Sequence, residues 1–360
     1  MKTIPVKLKE NPYSIFVGYN LVSKIPPQIK KLKLGNLGVV LTTPKILSLY
    51  KNRINKAFKS REYKIITVPD GEKAKSKEYL FKVISEIIKI DTWNKKVFLV
   101  CVGGGTIGDL GGFVASIYKR GIPCVQVPTT LLAQIDASIG GKTAIDLKEA
   151  KNILGTFHQP RAVFIDPLFL KTLGPKQFKE GMAEAIKYGI IKKKELFEFL
   201  TKHRKGIINQ KKDLMLYLVS NCAQIKARIV EEDEKETKGI RTILNFGHTM
   251  AHALETAHQY KKLSHGEAVA IGMVFASQLS ATLGKCTHNE AQKVKNLVKL
   301  YSLPTAATFD YATLYGAICY DKKFISGKAR MVILRRIGKV EVVEGVPMIK
   351  KAVCKFGSSI

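Results

Sequence analysis

"LVCVGGGTIGDLGGF", residues 99–113, decides how the first half of this chain is read. An apolar, β-branched run stops at three consecutive glycines, and Gly108 and Asp109 follow within one helical turn. Strand, tight turn and helix N-terminus is the order this pattern predicts. The frame Gly103-x-Gly105-x-x-Gly108 has the spacing of a dinucleotide-binding turn. Backbone N–H groups at such a helix start, with no Cβ in the way, suit a pyrophosphate. Glycines also permit close helix–strand packing, but six of them in this stretch exceed what packing is expected to need. One element of the dinucleotide pattern is missing: no acidic residue lies about twenty positions downstream to hold a ribose.

Working outward, 360 residues suffice for one large domain or two medium ones. A hydrophobic content of 46% excludes a disordered or fibrous chain and fits a globular enzyme. The N-terminus "MKTIPVKLKENPYSIFVG" has no apolar signal core, and no stretch approaches the roughly 20 apolar residues of a membrane span. Six scattered cysteines without a C-x-x-C pair predict reduced thiols and a cytoplasmic protein, with no membrane partner. The charge is unusual, with 60 basic residues against 29 acidic ones and a net of +31. The lysines are spread along the chain, with no basic arm, zinc finger or aromatic–glycine RNA motif, so no specific nucleic-acid partner is expected. Such a field favours the encounter of anionic small molecules.

The first half alternates short apolar runs with helical patterns. The predicted strands are 35–43, 63–69, 96–102, 123–130 and 161–167, and a helix is predicted over 76–90. This order argues for an α/β N-terminal domain over 1–174, built on a doubly wound, mostly parallel, Rossmann-like sheet. Ligands of such sheets bind at the carboxyl ends of strands, which selects the loops "PDGEKAKS", "GGGTIGD" and "PTTLLAQID". Gly174-Pro175 is a candidate boundary. Residues 179–300 read as successive amphipathic helices, so 175–360 is expected to be an all-α domain. Its tail carries one strand-like segment, 329–346.

Histidine is scarce, yet three of seven lie in "NFGHTMAHALETAH" (245–258) and one in "LSHGEAVAIGM" (263–273). His248 and His252 are four apart and share a helix face. Upstream, "EGMAEAIKYG" places Glu180, Glu184 and Lys187 on one face of an otherwise apolar helix. A carboxylate with imidazoles makes an open zinc site that leaves positions for substrate oxygens. Cationic and polar residues in apolar or glycine-flanked settings form a third set: Arg120, Lys142, Lys151, Asn152, Lys226, Arg241, Asn245 and Lys323. They suggest a substrate bearing phosphate and carboxylate groups.

Taken together, "VGGGTIGDLGGFVAS", "RGIPCVQVPTTLLAQIDASIGGKTAID", "KNILGTFHQP", "GMAEAIKYGII", "NFGHTMAHALE" and "LSHGEAVAIGMVFA" closely resemble blocks of the 3-dehydroquinate synthases. They stand in family order over roughly residues 69–335. The resemblance implies a homodimer that needs NAD and Zn2+ or Co2+. Its substrate is an anionic sugar-acid phosphate, 3-deoxy-D-arabino-heptulosonate 7-phosphate. This is converted to 3-dehydroquinate and phosphate in the shikimate pathway by oxidation, phosphate elimination, re-reduction and intramolecular aldol closure. Carried over by position, the metal ligands are Glu184, His248 and His265. The NAD contacts are Glu72, Lys75, Gly103, Gly104, Gly105, Asp109, Thr129, Thr130, Lys151 and Thr172. Catalytic roles fall on Asp136, Lys142, Lys187, Lys226 and His252. Substrate contacts fall on Asn152, Arg241, Asn245 and Lys323, and on Arg120, which reaches the phosphate from the neighbouring subunit. The resemblance also supplies the missing ribose-side acid, upstream at Glu72.

The sequence departs from the family pattern in three ways. Thr43 stands where an acid is usual, "ETKGIR" (236–241) is one residue longer, and Ala137 and Ala251 replace Ser and Gly. Three other readings compete. A cyclase for a different sugar phosphate would lack use for Arg241, Asn245 and His252. A polyol dehydrogenase would need fewer anion-binding residues, and a nucleic-acid binder rests on the charge alone.

Overall fold

The computed structural model describes every residue except 60–61, 93, 259–262, 321–323, 326–327, 346–352 and 354–360. The chain divides into two compact units, residues 1–174 with 215–235, and residues 175–214 with 236–360.

The first unit contains strands β1 (Lys2–Val6), β2 (Tyr13–Val17), β3 (Leu37–Thr42), β4 (Tyr63–Thr67), β5 (Val97–Gly103) and β6 (Cys124–Pro128). Strands β7 (Lys142–Ile145), β8 (Leu154–Phe157) and β9 (Ala162–Ile165) follow. Seven of them form one sheet in the order β1-β2-β9-β6-β5-β3-β4, and β7 and β8 pair separately as an antiparallel hairpin. Only β1 runs antiparallel to its neighbour. The five strands expected from periodicity are β3, β4, β5, β6 and β9. The added β1 is short and carries Pro5, which an edge strand tolerates because its missing N–H breaks no interior ladder.

Four helices cover this sheet: α1 (Ile25–Lys31), α2 (Pro44–Ala57), α3 (Lys77–Ile88) and α4 (Gly105–Ile117). Strand alternation decides which helix lies where. Leu37, Val39 and Leu41 of β3 and Val97, Leu99 and Cys101 of β5 pack with α3 and α4. Val40, Phe98, Val100 and Val102 point the other way and pack with α1 and α2. Both faces are buried, which explains why these strands read as continuous apolar runs. The chain leaves β3 by α2 on one face and leaves β5 by α4 on the other. The point where the winding reverses therefore lies between β3 and β5, the place where such sheets bind ligands.

The second unit is helical. It contains α5 (Pro175–Ile191), α6 (Lys194–Lys202), α7 (Arg204–Ile208), α9 (His248–Ala257), α10 (His265–Thr282), α11 (His288–Leu300) and α12 (Tyr311–Tyr320). The intervening α8 (Lys212–Glu232) belongs, from Met215 on, to the first unit. The strand-like tail folds as β11 (Lys328–Arg336) and β12 (Lys339–Glu344), with β10 (Phe324–Ile325) beside β11, so one small antiparallel sheet joins the helices. Among the described residues, no helix is long and apolar enough to cross a membrane.

Candidate active site

In the first unit the glycine turn joins β5 to α4, and its glycines divide into two kinds. A Cβ at Gly103 would lie 2.6 Å from the Ile107 side chain, one at Gly111 2.2 Å from Cys101 Sγ, and one at Gly112 2.3 Å from Thr143 Cγ2. Gly108 would place its Cβ 2.8 Å from Gln126 Oε1. These four glycines let α4 settle onto β5, β6 and β7, so packing does need most of the six, contrary to the expectation from their number. Gly104 and Gly105 differ. Their Cβ atoms would meet only Thr130 Cγ2 at 3.1 Å and Ala137 Cβ at 3.4 Å. They cap and open α4, whose first N–H groups have no partner within the helix.

Around this helix start the carboxyl ends of neighbouring strands converge. Thr129 N–H donates to the Gly103 carbonyl at 2.9 Å, and the Thr130 hydroxyl accepts from Ala133 N–H at 3.2 Å. The Thr106 hydroxyl donates to Glu72 at 3.4 Å, which brings the upstream acid to the first turn of α4. The buried hydroxyls of Thr42 and Thr129, at the ends of β3 and β6, have no hydrogen-bond partner among the described residues. A buried polar atom left so is costly unless a ligand completes it. An anion-accepting helix start, two small residues at its mouth and two waiting hydroxyls fit a dinucleotide. Thr43, the departure from the family pattern, caps α2 instead: its hydroxyl accepts from Ile46 N–H at 3.3 Å. Such a cap contributes about 1 kcal/mol.

A polar network extends from this mouth. Lys75, only 5% exposed, pairs with Asp109 at 2.8 Å, donates to Asn152 Oδ1 and lies 3.9 Å from Asp146. Asn152 has a left-handed backbone (φ 53°), held by its N–H donating to Asp146 at 2.7 Å. Burial opposes the Lys75 charge, but the Asp109 carboxylate outweighs it and raises the ammonium above its ordinary range. Burial pushes Asp109 up to about 6 against the pull of Lys75. Asp136 lies in a single π-helical turn, Ala133–Ala137, and pairs with Lys226 of α8. π-turns recur at functional sites. Lys142 and Lys151 are exposed on and beside the β7–β8 hairpin, and the Thr172 hydroxyl is hydrogen-bonded to Tyr50 at 2.6 Å. Arg120 is exposed on a turn where it and Lys119 both have positive φ (63° and 47°), costing about 1–2 kcal/mol each. Buried Asp91 pins that turn, accepting from Tyr118 Oη at 2.5 Å and pairing with Lys119 at 2.6 Å.

In the second unit, Glu184, His248 and His265 offer ligand atoms that all lie within 4.8 Å of one another. Glu184 Oε1 is 3.6 Å from His248 Nε2 and 3.5 Å from His265 Nε2. Bond lengths of about 2.0–2.1 Å around a tetrahedral ion put ligands roughly 3.3 Å apart, so this donor set fits a first-row divalent cation. Both histidines are the first residue of their helices. Glycines let α10 meet its neighbours backbone to backbone: a Cβ on Gly266 would lie 2.4 Å from Glu180 Cα of α5, and one on Gly272 2.0 Å from the Gly247 carbonyl oxygen just before α9. Gly247 itself has φ 81°, where only glycine is unstrained. Glu267 fixes the start of α10 by accepting from the Ser264 N–H and hydroxyl, both at 2.8 Å.

Glu184 is 1% exposed and paired with equally buried Lys187. Burial opposes its ionisation, yet Lys187 and the histidines outweigh it and hold the carboxyl well below its usual range. Burial, reinforced by Lys187, holds His248 well below the ordinary imidazole value, so its lone pair is available. Burial disfavours the His265 cation too, but Glu184 and Glu255 outweigh it and push the ring up to about 10. His252 stands outside the ligand set, exposed, with its ring 5.7 Å from that of His248. Arg241, 2% exposed, pairs with Glu236 at 3.1 Å. The longer "ETKGIR" run thus still closes on its arginine, through left-handed Glu236 and Gly239. Asn245 ends the same short 3-10 helix as Arg241, and Lys323 lies outside the described residues. The motif reading did not single out Glu255, whose carboxylate meets His265 Nδ1 at 3.1 Å. Its signal was present, since His248, His252 and Glu255 stand at i, i+4 and i+7 of one helix.

Comparisons with known proteins agree with this geometry. Residues 65–180 match the family model for the 3-dehydroquinate synthase N-terminal region, and residues 181–324 match that for the C-terminal region. The chain is 40% identical over 346 residues to the 3-dehydroquinate synthase of Dictyoglomus turgidum, covering 96% of this chain and 95% of that protein. It is 41% identical over 349 residues to that of Clostridium acetobutylicum, covering 96% and 97%. Among solved structures it resembles the 2-epi-5-epi-valiolone synthase ValA of Streptomyces hygroscopicus, solved with NAD+ and Zn2+ bound. The TM-score is 0.86 at 27% identity, and 98% of each chain is covered. With both units matched in order and full-length relatives near 40% identity, the chain belongs to the 3-dehydroquinate synthase family.

Proposed function

We propose that this protein binds NAD at the Gly104–Gly105 turn and a divalent ion, Zn2+ or Co2+, at Glu184, His248 and His265. With them it converts 3-deoxy-D-arabino-heptulosonate 7-phosphate to 3-dehydroquinate and phosphate. The observation that carries this reading is that a chain matching the family over its whole length keeps both sets of groups in usable geometry. When bound, NAD supplies reversible hydride acceptance and the metal supplies Lewis-acid polarisation of substrate hydroxyls. The protein's residues do the rest. Lys75 and Asp109 set the charge at the cofactor mouth, and Glu72 takes the ribose side. Lys187, Lys226, Arg241 and Asn152 hold the anionic groups of the substrate, so that each step begins from a positioned conformer. Asp136, Lys142 and His252 take the catalytic roles that the family resemblance implies, with Asn245 and Lys323 completing the substrate contacts. Purified protein given NAD+, Zn2+ and the heptulosonate phosphate should release phosphate and dehydroquinate in equal amounts without net NADH. Accumulating NADH would indicate a dehydrogenase, and absence of turnover by the metal-loaded protein would overturn the reading.

The Asp109 shift gives this reading a pH dependence. Ionised Asp109 balances Lys75 at the cofactor mouth, so NAD affinity should fall as pH drops through about 6. A lost charge-assisted hydrogen bond corresponds to roughly tenfold or more in affinity. Calorimetric titration at pH 5 and pH 7 measures this, and Asp109→Asn should flatten the profile. The sign for folding is opposite. Because the value is raised, this group's stabilisation is complete below the unfolded value near 4 and is lost as pH rises through about 6.

The same reading makes the protein a homodimer in which Arg120 serves the neighbouring subunit. Its support is the exposed apolar surface beside the strained turn: Ile117 is 42% exposed at the end of α4, and Leu154 and Phe157 are each 45% exposed on adjacent β8. Phe157→Glu should convert a dimer to monomers by light scattering and lower turnover. A mass of one chain for the unaltered protein would rule this arrangement out.

A further inference from the structure

Each of the two candidate ligand histidines uses its second ring nitrogen, and they use it differently. His248 Nδ1 meets the Phe246 carbonyl at 3.2 Å, a neutral partner two residues away, and the ring is packed in, with only 11% of its side chain exposed. His265 is the outermost ligand, 38% exposed at the first position of α10. Its Nδ1 meets Glu255, whose side chain is 12% exposed. Glu255 lies on α9, two turns beyond His248, so the helix that carries one ligand also braces the other.

We propose that Glu255 is the positioning residue of the metal centre, accepting the Nδ1–H of His265 and holding its Nε2 toward Glu184. The proposal rests on the reading of Glu184, His248 and His265 as metal ligands. A carboxylate partner fixes the tautomer with the proton on Nδ1, which leaves the Nε2 lone pair for the ion and makes the ring a stronger donor. It also compensates for exposure. A ligand exposed as His265 is has fewer packed neighbours to hold its rotamer than His248, so a charged hydrogen bond substitutes for packing. Finally, Glu255 adds a second anion beside Glu184, partly offsetting the combined charge of the ion and Lys187.

The test is Zn2+ affinity, measured by competition with a chromophoric chelator, for the unaltered protein, Glu255→Gln and Glu255→Ala. Glutamine keeps the acceptor and loses the charge; alanine loses both. Affinity should fall about 10-fold for Gln and about 100-fold for Ala, the range known for outer partners of metal-bound histidine. The visible spectrum of the Co2+ form should change for Ala more than for Gln, because the His265 ring is no longer held. Thermal melting before metal is added separates a structural role, and if the alanine variant fails to fold, the glutamine variant decides. A lowered melting temperature with unchanged Zn2+ affinity and spectrum would overturn the proposal. So would equal affinities across all three proteins. An unaltered protein that takes up no metal would overturn the ligand reading as well, which distinguishes the two failures.

Discussion

Alanine at position 265 is expected to abolish tight metal binding and to cut phosphate release from the heptulosonate phosphate by about a thousandfold or more. The magnitude follows from the several kcal/mol that a Lewis-acidic ion contributes, at 1.36 kcal/mol per tenfold in rate. The fold should survive. His265 is partly exposed and stands at the first position of α10, whose start is held separately by Ser264 and Glu267, so truncation leaves no large cavity. Removing the imidazole takes one of three facing groups from Glu184, which keeps Lys187 and His248, and takes the Nδ1 partner from Glu255. Metal content by atomic emission, far-ultraviolet circular dichroism and turnover together check this. Normal turnover with full metal content would remove His265 from the ligand set.

Gly272→Ala should have an effect of similar size by a different route. The new Cβ would lie 2.0 Å from the Gly247 carbonyl oxygen and 3.2 Å from the Ala251 backbone nitrogen, and neither atom belongs to a side chain that can swing away. Either α10 moves outward or the turn before α9 distorts. Both displace His248, the residue that follows Gly247. Overpacking of this kind costs about 1–3 kcal/mol, and backbone-to-backbone contact places it at the upper end. At roughly 2–4 °C per kcal/mol, a melting temperature lower by about 5–10 °C is expected, with weakened Zn2+ binding alongside. Gly284→Ala makes a control, because a Cβ there meets nothing within 4 Å. Its left-handed φ of 66° costs stability without touching the metal site. A Gly272→Ala protein with native stability and metal affinity would show that α9 and α10 do not meet as closely as described.

Four of the five strands that read clearly, β3, β5, β6 and β9, are buried on both faces, and only the edge strand β4 is partly exposed. The runs of β3 and β5 allow no other placement than the middle of a covered sheet. The β7–β8 hairpin was illegible because its strands are four residues long and partly exposed, so no apolar period distinguishes them from a loop. The glycines misled by their number. Three of the six answer to side chains on strands, Cys101, Gln126 and Thr143, which nothing in the local pattern records, and Gly103 answers to Ile107 of α4. Lys226 and Asp136 were each singled out, but 90 positions separate them, and their pairing came only from α8 joining the first unit.

By itself the sequence determined the doubly wound sheet, the helical second unit and the identity of the groups that could bind a dinucleotide and a metal. The sheet and the helices follow from periodicity, which acts between residues close in the chain, and the binding groups from the family resemblance of their motifs. Tertiary structure alone decided which nitrogen of each histidine faces Glu184 and which glycines the packing of α4 requires. It alone set Glu255 against His265, because that contact runs from α9 to the first residue of α10, and the spacing within α9 that marks Glu255 does not say which group it meets.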